Sequence, residues 1–244
     1  MAQMARRAAV FLLALLLAAA CGGEPTEKVS QPVGSDVPQN VLVNGSLERG
    51  EEPWFSLSTA GWGEHFRLTK ETAHSGGASV LLEMDAGEDA VGTQVFGVVQ
   101  EVAPHEFPET ISGFYRVENW LRGTEKQYLQ FVVIVFGAQN LPGGFPNHQI
   151  RYLLAGAQEP PFTLGNATFV LVDTAEPRTG EWVRFERNLR DDFSEAWGAV
   201  PEGFSMIRVL FEVRYDDKQP GPGRVAADAF YDDLYMGPAE TNPN

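Results

Sequence analysis

The chain has 244 residues, with 33 acidic side chains against 18 basic ones and a formal charge of -15. That deficit of Lys and Arg argues against nucleic acid as a partner, because those residues supply the affinity for phosphate backbones. A single cysteine excludes an intrachain disulfide framework and a multi-cysteine zinc site, and the length offers either one domain of sandwich or barrel size or two small ones.

In chain order, Arg6 and Arg7 precede an apolar run from Ala8 to Ala20. The run is shorter than the roughly 20 residues a membrane helix needs, and it has the basic-then-apolar layout of a secretory signal. Ala18-Ala19-Ala20 stands directly before Cys21 and resembles a bacterial lipoprotein lipobox, with Ala at a first position where Leu is more usual. The resemblance implies cleavage before Cys21, diacylation of its thiol and acylation of its new amine. Gly22, rather than Asp, implies by the same resemblance sorting to the outer membrane. The alternative is an ordinary signal cut after an A-x-A site, with Cys21 incidental. Export is expected under both, with membrane contact through the lipid anchor only. Residues 21–39 are Gly, Pro, Ser and charge without apolar periodicity, and read as a flexible tether carrying Cys21.

From residue 40 to 237 the dominant period is two. Ile207, Val209, Phe211, Val213 and Tyr215 alternate with Met206, Arg208, Leu210, Glu212 and Arg214, the pattern of a strand with one apolar face. Val183, Phe185 and Arg187 alternate with Trp182, Arg184 and Glu186 in the same way. Gln127 to Phe136 becomes apolar on both sides, as in a central covered strand. Strands are also expected at 41–43, 66–69, 79–85, 93–102, 111–117, 149–154, 168–172 and 227–236, with turn residues such as Ser75-Gly76-Gly77 and Pro142-Gly143-Gly144 between them. Asp191 to Trp197 reads as one helical turn. About ten short strands with almost no helix predict one all-β sandwich domain over 40–237, followed by a polar tail, 238–244.

Val41-Leu42-Val43-Asn44-Gly45-Ser46-Leu47-Glu48 followed by Pro53-Trp54, then Ala73-His74-Ser75-Gly76-Gly77, resembles the opening of family 4, 9 and 22 carbohydrate-binding modules. Val99-Gln100-Glu101-Val102, Ile111 to Val117 and Phe230-Tyr231-Asp232-Asp233-Leu234-Tyr235 continue the resemblance in order. The segment Gly137 to Pro177 is longer and richer in Pro and Gly than the usual module. The resemblance implies a jelly-roll β-sandwich of two antiparallel sheets with galactose-binding-like topology. It also implies a structural calcium on Glu48 and Asp232, completed by carbonyls near Ser75 to Ala78, since calcium takes six to eight oxygens. No organic cofactor is expected.

The function implied is non-catalytic glycan binding on a sheet face or loop cleft, where aromatic rings meet sugar C–H faces and a few polar groups fix hydroxyls. Candidates on the polar faces are Arg116, Gln130, Arg208, Glu212 and Arg214, with Trp120 and Tyr128 near them in sequence. Cross-strand pairing of the charged residues is the plainer account. Trp54, Trp62, Trp182 and Trp197 are expected in packing, and His74 is expected to hydrogen-bond backbone at its turn. His65, His105 and His148 show no metal-ligand spacing.

Two alternatives stay open. Glu83-Met84-Asp85-Ala86-Gly87-Glu88 matches the E-x-D-x-x-E of family 16 glycoside hydrolases, whose retaining chemistry needs two carboxyls about 5 to 5.5 Å apart. Against it, the apolar strand pattern stops at Gly87, so Glu88 is expected off the strand. A third class is an envelope structural or protein-interaction module that binds no glycan.

Overall fold

The structure is a computed structural model that describes residues 40–56, 66–157, 161–173 and 176–244. The signal segment, Cys21, the tether, Trp62 and His65 lie outside the described residues. No helix among the described residues is long and apolar enough to cross a membrane.

Among the described residues, eleven strands form two sheets. The five-stranded sheet contains β1 (Arg67–Thr69), β2 (Ser79–Ala86), β4 (Thr110–Leu121), β9 (Trp182–Asn188) and β11 (Val225–Gly237), in the order β1-β2-β11-β4-β9. The six-stranded sheet contains β3 (Gly92–Val102), β5 (Gln127–Phe136), β6 (Asn147–Ala155), β7 (Phe162–Leu164), β8 (Ala167–Leu171) and β10 (Met206–Lys218), in the order β3-β10-β5-β6-β8-β7. The two pack face to face as a β-sandwich.

The alternating pattern decides which side of each strand is inside. Ile207, Val209, Phe211, Val213 and Tyr215 of β10 join Leu129, Phe131, Val133 and Val135 of β5 in the main core, where they meet Val80, Leu82, Val117, Phe185 and Tyr231 of the opposite sheet. Phe131 stacks on Tyr152 of its own sheet at 4.4 Å and on Phe185 of the other at 4.9 Å. Tyr231 crosses the sandwich to donate its hydroxyl to the Glu212 carbonyl at 2.8 Å. Burying rings of this size contributes roughly 1.5–3 kcal/mol each, so the layer between the sheets dominates folding.

Three local expectations change. Val41–Val43 is a turn segment, tied to the last strand by Val41 N–H to Met236 O at 2.8 Å. A three-residue strand, β7, appears where the sequence gives no alternation, and β8 runs parallel to β6, so the six-stranded sheet is mixed rather than wholly antiparallel. The helical turn is a nine-residue helix, α1 (Leu189–Trp197), whose N-cap is Asn188, accepting from Asp191 N–H, and whose C-cap is the left-handed Gly198.

Candidate binding pocket on the six-stranded sheet

The outward side of the six-stranded sheet carries the alternate residues of the same strands, and register sets them in rows. Glu212 of β10 lies between Gly97 of β3 and Gln130 of β5, and Gln130 in turn faces Leu153 of β6. One row along, Arg214 is opposite Tyr128; in the other direction Val132 is opposite Arg151, which is opposite Phe169 of β8. Small apolar clusters separate from the main core sit on this face, one of Val99, Val132, Ile134 and Leu210, the other of Tyr128, Leu153 and Ala157 with Phe169 and Leu171 beside it.

A pocket of about 280 Å³ opens at one end of the face, lined by Tyr128, Arg151, Leu153, Phe162, Phe169 and Arg214. Two glycines shape its surroundings. Gly97 leaves room for the Glu212 side chain, since a Cβ there would come 3.2 Å from Glu212 Cγ. Gly156, at φ +94, lets the end of β6 pass so close to Gln127 that a Cβ would lie 2.5 Å from its carbonyl oxygen. Arg122 Nη2 then donates to the Gly156 carbonyl at 2.7 Å, fixing the turn that presents Ala157 to the pocket.

The polar groups form a chain. Tyr128 donates its hydroxyl to Asp216 Oδ2 at 2.8 Å, and Arg214 Nη2 donates to Asp216 Oδ1 at 2.6 Å while its guanidinium carbon lies 5.5 Å from the Tyr128 ring centre. Arg214 Nη1 also comes within 3.8 Å of Glu212 Oε2, which accepts from Gln130 Nε2. Burial alone would depress Arg214, but the Tyr128 phenol and the Glu212 and Asp216 carboxylates outweigh it and raise its pKa. Burial raises the Tyr128 phenol, which stays protonated as a donor. Glu212 Oε1, Gln130 Oε1, Arg214 Nε and Arg151 Nε in these rows are buried without a protein partner. Such atoms cost about 1–3 kcal/mol each unless water or a ligand completes them.

Of the residues expected at a binding site, the structure thus gathers Tyr128, Gln130, Glu212 and Arg214. Arg208 shares their face but stands further along β10, paired with Glu101 and lying 5.3 Å over the Phe136 ring. Arg116 belongs to the five-stranded sheet, between Phe230 and Trp182, and pairs with Glu118. Trp120 is near the end of β4, donating Nε1–H to Glu176 at 2.6 Å, and its ring packs beside Gly156 rather than lining the pocket. Arg151, Phe162, Phe169 and Asp216 were not singled out from the sequence. Arg151 follows from the 149-151-153 alternation of β6, and Asp216 sits two residues beyond Arg214, whereas β7 and Phe162 left no periodic signal.

The residues matching a calcium site both accept from backbone amides. Glu48 Oε1 accepts from Gly77 and Ala78 N–H at 2.8 and 3.0 Å. Asp232 Oδ2 accepts from His74 and Ser75 N–H at 2.7 and 3.3 Å, and its Oδ1 from Asp233 N–H at 2.7 Å. Both carboxylates thus face backbone donors at the turn that precedes β2. His74 departs from expectation: its ring bonds the Asp233 carboxylate at 2.7 Å and stacks on Phe114 at 3.4 Å, with Trp182 at its edge. Trp54 and Trp197 are buried in the main core, and His148 is buried with Nε2 against the Pro142 carbonyl.

Glu83 and Asp85 point outward from β2, in ion pairs with Arg67 and Arg224, while Glu88 stands in the turn after the strand. The three carboxylates are not gathered at a pocket. Glu83→Gln is expected to change stability by less than about 1 kcal/mol, as for other exposed ion pairs, because the Glu83 side chain is 54% exposed. Chemical denaturation of the two proteins checks this, and a larger loss would show that Glu83 carries more than a surface pair.

No family model and no curated protein matches the chain. Among solved structures it is similar to a family 61 carbohydrate-binding module in complex with beta-1,4-galactotriose, at 15% identity over 82% of this chain and 98% of that one, with a TM-score of 0.43. It is also similar to a family 28 module specific for non-crystalline cellulose, at 11% identity over 83% and 98% with a TM-score of 0.41. A family 27 module described by its mannan recognition is similar at 12% identity over 76% and 88%, with a TM-score of 0.32.

Proposed function

We propose that the protein is a non-catalytic saccharide-binding module whose site is the pocket on the outward side of the six-stranded sheet. The observation that carries the reading is the juxtaposition of Tyr128, Phe162 and Phe169 with Arg151, Arg214 and Asp216 around one opening of about 280 Å³. Aromatic faces favour the C–H side of a pyranose, and guanidinium and carboxylate groups held in place by their neighbours serve ring hydroxyls as donors and acceptors. Polar side chains fixed by the Tyr128–Asp216–Arg214 chain lose little entropy on binding. In the same reading, the N-terminal segment exports the protein, and Cys21 tethers it by lipid to the cell envelope, in the outer membrane, with the sandwich displayed on residues 21–39.

A glycan array probed with the purified protein, with and without calcium, tests the reading. Saturable binding to a defined set of saccharides is expected, and it should be the same in calcium and in chelator, because Glu48 and Asp232 are committed to backbone amides. An array with no saccharide signal, together with co-purification of an envelope protein, would replace saccharide binding by an interaction role.

A further inference from the structure

Among the described residues, Arg49 and Arg151 are the arginines with no carboxylate within 4.0 Å; the others are all in ion pairs. Arg49 is exposed, whereas Arg151 is half-buried in the middle of β6, with Val132 on one side and Phe169 on the other. In a chain with 33 acidic side chains, a guanidinium held inside a pocket without one is a cation left for something else.

Its bonds are few. Arg151 Nη2 donates to Gln149 Oε1 at 3.0 Å, Nε is buried without a partner, and the guanidinium carbon lies 5.5 Å from the Phe169 ring centre. Burial lowers the pKa of Arg151 against the pull of the Glu212 and Asp216 carboxylates, whereas at Arg214 the Tyr128 phenol and the same two carboxylates outweigh burial. Of the acids around the pocket, Asp216 accepts from Tyr128 and Arg214 through both oxygens and Asp217 accepts from Lys126, while Glu212 accepts from Gln130 at Oε2 beside Arg214 and keeps Oε1 without a partner, outside ion-pair distance of Arg151. Glu125, the lining carboxylate without a cation, stands in the turn before β5, whereas Arg151 is opposite Val132, halfway along that strand.

We infer that the pocket selects an acidic saccharide and that Arg151, supported on Phe169 and steered by Gln149, receives the carboxylate of a uronic acid residue. This rests on the saccharide-binding reading and deepens it. A planar guanidinium with free N–H donors matches a carboxylate in two-point geometry, which a hydroxymethyl group cannot reproduce.

The test uses oligosaccharides built of uronic acids and their carboxyl-reduced counterparts, which keep the stereochemistry and lose the charge, with affinities measured calorimetrically. The carboxylated member of a bound pair is expected to bind about 30-fold more tightly, in line with one charge-assisted hydrogen-bonded contact. Arg151→Gln should bring that ratio to within about 3-fold, the carboxylated sugar losing more affinity than its reduced counterpart, and Arg151→Lys should keep part of the ratio. Raised salt should weaken the carboxylated ligand selectively. Equal affinity for both members in the wild-type protein, or a ratio that survives in Arg151→Gln, would overturn the inference. Should Arg151→Gln fail to fold, the wild-type ratio and the Arg151→Lys variant decide it. Binding of neutral saccharides alone defeats the acidic preference and leaves the saccharide reading standing, whereas no binding to any saccharide defeats both.

Discussion

Tyr128→Ala is expected to weaken saccharide binding by about 30-fold or more, the loss typical when an aromatic residue at the centre of a site is removed. Two contributions combine. The ring is the aromatic face nearest to Arg214, and its hydroxyl is one of the two donors that orient Asp216. Tyr128→Phe separates them: it keeps the ring and frees Asp216 from one partner, and a loss of only about 3- to 10-fold is expected, the size of one neutral hydrogen bond. Both variants should remain folded, because Tyr128 belongs to a small cluster on the outward face, apart from the layer that holds Phe131 and Phe211. Trp120→Ala and Arg116→Ala supply the contrast. Trp120 is engaged with Glu176 and Arg116 is on the other sheet, so affinities within about 2-fold of wild type are expected for residues that do not touch ligand. Calorimetry against the best array ligand, with a thermal melt of each variant, reads all four. Wild-type affinity in a folded Tyr128→Ala protein would move the site away from this pocket.

The contrast between Tyr128 and Arg116 also marks how far the sequence could be read. Alternation in 127–136 and 206–215 gives each residue's side of its own strand, and the structure keeps those sides: Leu129, Phe131 and Phe211 go inward, Tyr128, Gln130 and Glu212 outward. Period two is silent on which sheet a strand joins, because that depends on which distant partner completes its hydrogen bonds. Arg116 and Arg214 therefore look equivalent in sequence although they lie on opposite faces of the sandwich. Alternation marks Arg151 as one of the outward positions of β6, but what stands beside it was hidden for a related reason. Its strand lies in the Pro- and Gly-rich insertion, and the parallel neighbour β8 that brings Phe169 beside it is reached through a connection with no period of its own. The A-H-S-G turn was visible as a turn, but its partners, Glu48, Asp232 and Asp233, are brought to it by contacts spanning 29 to 159 residues.

Those partners make Asp232 the position where loss of a single side chain should cost the most outside the main core. Asp232→Ala leaves the His74, Ser75 and Asp233 N–H groups without their acceptor, and a loss of about 2–4 kcal/mol is expected. Burial, and after it the Asp233 carboxylate, raise the Asp232 pKa from the ordinary carboxylate range to about 6 against the pull of those three donors. The folded protein therefore holds the Asp232 proton more tightly than the unfolded chain does. The stability this group contributes is complete below about pH 4 and is lost as pH rises through about 6, for a total of about 3 kcal/mol. Asp232→Asn has no proton to release. Its stability relative to wild type should therefore improve by about 2 kcal/mol between pH 4.5 and pH 7.5, which is roughly 4–8 °C in the difference between the two melting midpoints. Working with that difference cancels the surface carboxylates, such as Glu83 and Asp85, whose lowered pKa values act in the opposite direction on both proteins alike. A midpoint difference that stays constant over this range would mean that the amide donors win and that Asp232 remains ionised in the folded state throughout.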